Sequence, residues 1–458
     1  MALGGGGAFP GRPTPGTHAM TGGSGGDADV VVVGAGAAGC VVARRLADAG
    51  ADVLLLEAGT AAASPRAGLL DIGPDSHVVA RHPATLGDAA LELPRGRTIG
   101  GSGAVNGGYC VPARPADLEA WGPDWPRRYA VGVARAAERL RPHLAPMGPV
   151  ASWVAAAFPG RVSAVPQARS GGRRVTASDA WDPAGAGVRV RTGAAVRELS
   201  WAGGAGGEAG GARRCVGVVL DDDEEITTRQ VVLCAGTIGT TVLLLGSGID
   251  RAGGHPVGHR VQEHPELLLD VPAGLTAVAD AGLGAGAGAG PDAAGGLPPL
   301  LSHVVRLALP VRERGWVPEI EVRPYAVPMH RVIPGLGEVP HRVGVALMNP
   351  VGRGRVHADG SVDLPDDPRD ATALAEATAF VAERLGIDGA VIRSTSHHLS
   401  GAARIGEVCD DSGRVLGVEG VRVADASVLP SLPRCGPYYT VLAVAEDLAA
   451  RMVAERAW

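Results

Sequence analysis

The residues best able to do chemistry are three glycines and one acid near the start of the chain. Gly34, Gly36 and Gly39 stand in Gly34-Ala35-Gly36-Ala37-Ala38-Gly39, directly after the β-branched run Val30 to Val33. Gly34 allows a tight turn, Gly36 lets backbone approach a pyrophosphate, and Gly39 lets a helix pack close to the strand. The helix that follows, about Ala37 to Ala49, aims its positive N-terminal end at the phosphates. A second apolar strand, Val53 to Leu56, ends at Glu57, whose carboxylate can accept hydrogen bonds from both ribose hydroxyls. In a chain with 70 glycines, an isolated glycine match carries little weight. Strand, glycines, helix, strand and terminal acid in that order read as a site for an adenine dinucleotide, against a packing turn with no ligand.

Two further segments suit the same ligand. Pro94 to Gly108 is rich in small residues, with one Ser and one Asn, and can hug a flat ligand through backbone N–H groups. On its own it reads slightly better as an ordinary glycine loop. The apolar strand Gln230 to Leu233 enters Cys234-Ala235-Gly236-Thr237-Ile238-Gly239-Thr240 and then a helix, Thr241 to Leu245. That is a second strand–glycine–helix junction facing the same ligand.

Composition bounds the partners. The chain has 458 residues, 46% of them hydrophobic, and a net charge of −6, which points away from nucleic acid and from an anionic membrane. Every basic residue apart from histidine is Arg. Six scattered cysteines, with no CxxC pair, read as reduced thiols in a cytoplasm and not as a disulfide framework or metal site. Residues 1–27 lack the basic start and apolar core of a signal peptide and read as a disordered tail. No stretch is long enough to span a membrane, so the expectation is a cytoplasmic protein, with peripheral membrane contact compatible.

Elements must then position the site. Thr60 to Leu93 reads as irregular, and Ala130 to Leu140 as helical. Val188 to Leu199 reads as one strand, 202–211 as a loose hairpin tip, and Cys215 to Leu220 as the return. The acidic run 221–225 reads as a solvated turn and not a metal site. Residues 273–299 are a low-complexity insertion. Leu300 to Val356 alternates as antiparallel strands forming a separate sheet, followed by helices at Asp370 to Leu385 and about Thr440 to Arg456. The fold class is α/β (α+β overall), a Rossmann-like domain joined to one built on an antiparallel sheet.

Through these motifs and others further along, the chain resembles the glucose–methanol–choline (GMC) flavoprotein oxidoreductases over nearly all of Asp29 to Ala454. The landmarks are GAGAAG with Glu57, GGSGAVN, GTIGTTVLLLGSGI at 236–249, PVGHRVQEHP at 256–265, MNPVGRGRV at 348–356, HLSGAARIG at 398–406 and GVRVADASVLPSLP at 420–433. Within the family, GGSGAVNGGYC, VGVALMNPVGRGRV, STSHHLSGAARIG and RCGPYYTV look most like the mycofactocin-associated dehydrogenase. The resemblance implies FAD as the dinucleotide. It also implies a small-molecule substrate, mycofactocinol (reduced mycofactocin), and electrons passed to a respiratory acceptor. The implied FAD-binding parts are 28–130, 176–269 and 397–458, with substrate parts at 131–175 and 270–396.

The resemblance also implies residue roles. Gly34, Gly36, Ala37, Ala38 and Gly39 match the pyrophosphate site, and Glu57 with Ala58 the adenosine ribose. Gly100, Gly101, Ser102, Asn106 and Gly107 would lie along the flavin, and Val196 would present backbone to the adenine. Ala235 and Gly236 come from the second junction, and Asp425 with Ala426 would hold the ribityl–phosphate end. Gly436, Pro437 and Tyr438 complete the set. Some members carry a histidine, covalently bonded to flavin, where this chain has Val105, so FAD is expected to be non-covalent. His398 is the expected base, because an imidazole near neutral pKa suits removal of a hydroxyl proton. Its neighbour His397 is expected to face the other way, as a packing or hydrogen-bonding residue.

Three departures stand out. Thr241 replaces the family's proline, and Asp250 the glycine that ends SGIG; both are tolerable. Gly436 stands where the wider family has Asn or His as the second polar group. Tyr438, Tyr439 or a backbone group must substitute, or His398 works alone. The competing readings are a general GMC alcohol or sterol oxidoreductase and a catalytically silent flavin-binding protein; an NAD enzyme is a distant fourth.

Overall fold

The valines at 30–33 are buried on both faces of the strand Ala28–Val33, an environment that suits β-branched side chains. In the computed structural model the described residues are 28–60, 70–170, 173–203, 213–272, 274, 298–309, 316–456 and 458. The expected tail at 1–27, and nearly all of 202–211 and 273–299, lie outside them.

Ala28–Val33 pairs in parallel with Val53–Glu57 on one side and Glu225–Leu233 on the other. Arg189–Thr192 extends the sheet in parallel beyond Val53–Glu57. Val421–Val423 also joins Glu225–Leu233 in parallel, and Arg213–Leu220 pairs with it antiparallel. The helices Ala37–Asp48, Trp125–Leu140 and Pro437–Glu455 share one apolar core with this sheet. At about 1.5–3 kcal/mol for each fully buried aliphatic side chain, that shared core is the main stabilising term.

The antiparallel sheet runs Val391–Thr395, Pro265–Asp270, Arg342–Leu347, Glu319–Pro324, His303–Ala308 and Val162–Ala164 in order. Period-2 alternation gives it two unlike faces. Leu267, Leu269, Ile320, Val322, Val343 and Val345 pack with the helices Pro149–Ala157 and Pro368–Leu385. The other face carries Glu266, Glu321 and Arg323. Pro265–Asp270 straddles residue 269 yet lies wholly in this sheet.

Two expectations need correction. Thr60 to Leu93 is not irregular throughout: Val79–Leu86 and Ala89–Gly96 form a hairpin, which joins a five-stranded sheet through Val362–Asp363. Arg81, His82 and Pro83 interrupt its alternation, and its Ala84, Leu86 and Leu93 pack in one cluster with the sequence-distant Val261, Val356 and Leu399. Val188 to Leu199 is two strands, because Gly193 at φ +66° breaks the run. Their partners differ: Val53–Glu57 for the first half, Arg213–Leu220 for the second. The acidic turn pairs with two arginines of these strands, Arg191 to Glu224 at 2.6 Å and Arg197 to Asp223 at 2.7 Å. None of the described helices is long and apolar enough to cross a membrane.

One buried acid ties the first helix to the last. Glu446, at 0% exposure, accepts from Arg45 at 2.7 and 2.9 Å and from Trp181 Nε1 at 2.8 Å. Glu446→Ala strands Arg45 and the indole N–H, and is expected to destabilise the protein by about 3 kcal/mol. A clear drop in the thermal unfolding midpoint would report it; an unchanged midpoint would contradict the role of this pair.

Candidate active site

The glycine crossing is held by backbone alone. Gly34 has φ +97°, and a Cβ there would meet the Cys234 carbonyl oxygen at 2.6 Å. Gly101, at φ +53°, brings its Cα region so close that a Cβ would stand 2.7 Å from Gly36 Cα. Gly100 donates its N–H to the Ala35 carbonyl at 2.7 Å, so the second glycine loop is fastened to the first. Any side chain at Gly34 or Gly101 would force these segments apart.

Gly36 is different. A Cβ there would meet nothing closer than 3.7 Å, and the helix it caps has neither a side-chain cap nor an acid in its first turn. Open space over an uncapped helix N-terminus is a cradle for an anionic group. Glu57 ends the next strand, where Oε2 accepts from Ala35 N–H and Oε1 from Gly59 N–H, both at 2.9 Å. Burial pushes its carboxyl up, and those two N–H bonds pull it back down. Each oxygen keeps a lone pair for a hydroxyl. Gly34, Ala37, Ala58, Val196, Ala235 and Gly236 all keep part of their surface open. These residues fit an extended dinucleotide.

Other expected contacts are committed to protein. Ser102 Oγ accepts from Gly96 N–H at 3.0 Å, and Asn106 Oδ1 from Gly108 N–H at 2.9 Å. Arg174 grips the same loop through the carbonyls of Ala104 and Asn106. The Asp425 carboxylate accepts from Gly236 N–H at 2.8 Å, Thr240 Oγ1 at 2.6 Å and Ser427 N–H at 2.8 Å. It locks the second glycine junction to the 425–428 turn, so a ligand contact from Asp425 would come from its backbone. Ala38 and Gly39 are buried in the helix, Gly107 and Ala426 are half-buried, and Val105 is buried.

Two imidazoles meet beside Gly436. His398 Nδ1 lies 2.8 Å from Nδ1 of His264, with the rings nearly perpendicular at 87°. His264, fully buried, has its Nε2 3.2 Å from the Met348 carbonyl, so Nε2 carries the proton. Its Nδ1 is then the acceptor, and His398 must donate from Nδ1. That leaves a lone pair on His398 Nε2. Burial holds both imidazoles well below the usual histidine range, and for His398 the neighbouring His264, Arg323, His397 and Arg95 push in the same direction. Both are neutral at pH 7.

Nε2 faces Gly436, where a Cβ would stand only 3.4 Å away. The glycine leaves that nitrogen open on the side where the wider family would place a second polar group. Tyr439 does not fill the gap, since its hydroxyl donates to the Val133 carbonyl at 3.3 Å. Tyr438 has a buried hydroxyl without a hydrogen-bond partner, and its ring lies over Gly103. Pro437 begins the last helix. The polar companion of His398 is His264, a residue that sequence reasoning quoted within PVGHRVQEHP but did not assign. An acid and a histidine at the mouth of an apolar strand were the available signal.

His397 has a different backbone from a strand residue. It follows the strand and sits at φ +60°, so strand alternation does not govern it. Its surface is open, yet protein crowds it closely enough to push its ring down to about 3 through burial and the Arg95 charge. Arg95 Nη1 stands 3.4 Å from His397 Nδ1. Above the pair of histidines, Arg323 is held by Glu321 at 2.9 Å, Glu266 at 3.3 Å and Ser396 at 2.6 Å, and Tyr325 donates to Glu266 at 2.7 Å. Among the described residues no acid, histidine and cysteine group has the arrangement of a metal site.

Gly36→Val should fold, since its Cβ would make only ordinary contacts with the Cys234 carbonyl oxygen at 3.7 Å and Gly101 Cα at 3.9 Å, but fill the phosphate cradle. Affinity for the expected FAD should fall on the order of tenfold or more, read by flavin fluorescence on adding FAD to apoprotein. Unchanged affinity would remove the glycine turn from the cofactor site.

Sequence profiles of the GMC oxidoreductases match residues 28–141 and 160–266, and, for the C-terminal part, 350–445. A GMC-type oxidoreductase of Rhodococcus erythropolis, itself uncharacterised, is 30% identical over 93% of this chain and 99% of its own. An uncharacterised GMC-type oxidoreductase of Mycobacterium tuberculosis is 29% identical over 93% of this chain and 76% of its own. Among solved structures, a pyridoxine 4-oxidase from Mesorbium loti superposes with TM-score 0.70 at 22% identity, covering 93% of this chain and 99% of that one. A formate oxidase gives TM-score 0.70 at 20% identity, with 94% and 99% covered. The glycine crossing, the terminal acid and the two imidazoles therefore stand in a chain that belongs to the GMC oxidoreductases, a family of FAD-dependent oxidoreductases.

Proposed function

We propose that the chain oxidises a hydroxyl to a carbonyl, with mycofactocinol as substrate, and passes the electrons towards respiration. The observation that carries the chemical part is the lone pair on His398 Nε2, left open beside Gly436 by the proton order of the histidine pair. Bound FAD supplies the hydride acceptor for such a reaction. Gly34, Gly36 and Ala37 would hold its phosphates, Glu57 the ribose, and Gly100 to Gly107 the flavin. His398 Nε2 takes the hydroxyl proton, while the Nδ1–H to His264 fixes the ring and shares the charge gained. Buried Val105 at the position of the covalent histidine supports non-covalent FAD. Six free, buried cysteines support a reducing, cytoplasmic setting.

The substrate rests on the motifs shared with the mycofactocin-associated branch and on Gly436, which that branch tends to share. An anaerobic titration with mycofactocinol, with simple alcohols as controls, should bleach the oxidised-flavin absorbance only with mycofactocinol. Bleaching by small alcohols instead would move the function to a general GMC alcohol oxidoreductase. No bleaching by either would favour a silent flavin protein.

The pH profile gives a second test. Because the folded protein holds His398 below the usual imidazole range, the base stays neutral as pH falls through 6.5. The acid limb of kcat/KM should therefore lie below pH 6.5. A limb centred at 6.5 or above would contradict the buried, neutral base.

A further inference from the structure

The catalytic histidine sits in an outward bulge that lacks its own backbone acceptors. Thr395 pairs with Pro265 in the antiparallel sheet, and Ser400 pairs with Gln262 in an isolated antiparallel bridge. Five residue steps on one segment oppose three on the other, so two extra residues are forced out. Ser396 N–H still reaches the His264 carbonyl at 3.1 Å, and Ser400 N–H the Gln262 carbonyl at 3.1 Å. Between them lie His397, His398 and Leu399. His397 takes up the bulge at φ +60°, and its N–H turns to Thr395 Oγ1 at 3.3 Å.

The missing acceptor comes from a side chain. Glu263 Oε1 accepts from His398 N–H at 2.7 Å and from His264 N–H at 2.9 Å, and the Leu399 N–H also acts on the carboxyl. One oxygen thus holds the backbone under both imidazoles. Glu263 Oε2 lies 4.0 Å from Arg95 Nη2, and neither atom has a hydrogen-bond partner. Arg95 braces the bulge from the hairpin side through His397.

We propose that Glu263 is a positioning residue that fixes His398 against His264 by supplying the acceptor the bulge lacks. The proposal rests on His398 being the base. It needs an oxygen at the right reach, not a negative charge. Burial pushes the Glu263 carboxyl up to about 7 against the pull of Arg95 and three N–H groups. A protonated carboxyl keeps the accepting carbonyl oxygen, so the grip survives that titration.

Two conservative variants separate reach from charge. Glu263→Gln keeps the oxygen in place and loses the charge; Glu263→Asp keeps the charge and withdraws the oxygen by one methylene. Flavin-to-protein absorbance is read first, then anaerobic flavin reduction by the alcohol that bleaches the parent enzyme, mycofactocinol or benzyl alcohol. Gln is expected within about threefold of the parent rate, and Asp slower on the order of 10- to 100-fold with KM little changed. Amide exchange over residues 396–400 should quicken in the Asp variant and not in the Gln variant, whether or not Asp turns over. Asp equal to or faster than Gln, both at the parent rate, or unaltered exchange in Asp would overturn the proposal. His398→Ala serves as the control: an unchanged rate there defeats the base assignment itself, whereas a loss there with the wrong Asp–Gln order defeats only the role of Glu263.

Discussion

Two neutral imidazoles meeting nitrogen to nitrogen cannot both donate or both accept. At 2.8 Å between His264 Nδ1 and His398 Nδ1, one proton must be shared out, and the Met348 carbonyl decides which ring owns it. The consequence reaches the far side of His398, where Nε2 is left as a lone pair. No carboxylate is bonded to either ring among the described residues, and only backbone carbonyls beside His264, Met348 among them, favour its imidazolium. Burial above all keeps both rings neutral, with the Arg323 charge acting on each and Arg95 on His398. As the proposed base, His398 would be weak in the ground state but open and fixed in direction.

The remainder of the fold supplies that constraint. The parallel sheet presents two strand–glycine–helix junctions at one end, and Asp425 bolts the second of them in place. The antiparallel sheet turns its apolar face to two helices and its charged face to the histidines. There Arg323 lies between Glu266 and Glu321. Removing one partner of such a buried group costs about 3–5 kcal/mol, which makes this face stiff as well as charged. Rigidity there holds Met348, and so holds the tautomer of His264.

Much of this was legible in the residues. Val30 to Val33, the glycines and Glu57 sit where strand and turn physics put them, and Glu319–Pro324 and Arg342–Leu347 follow their alternation. The Val79–Gly96 hairpin was not legible, because its strands do not alternate and the strand that extends their sheet, Val362–Asp363, lies almost three hundred residues away. The single strand expected at 188–199 failed at Gly193, whose left-handed backbone lets the chain change partners. His398 came from a motif, but its companion His264 lies 134 positions away, and no local spacing relates the two. His397 pairs its ring with Arg95 as a hydrogen-bonding residue would, but the bulge with two extra residues, and not strand alternation, places it there. Sequence patterns read the elements well; they read poorly the places where two distant segments fail to match in length.

The most direct measurement of the central claim is a double-mutant cycle on the rate of flavin reduction, comparing His264→Ala, His398→Ala and the double variant. If His264 acts only by fixing the proton on His398, its loss changes little once His398 is gone, and the double variant reduces no more slowly than His398→Ala. If the two losses multiply, His264 acts on the substrate independently, and the proton order drawn for the pair is wrong.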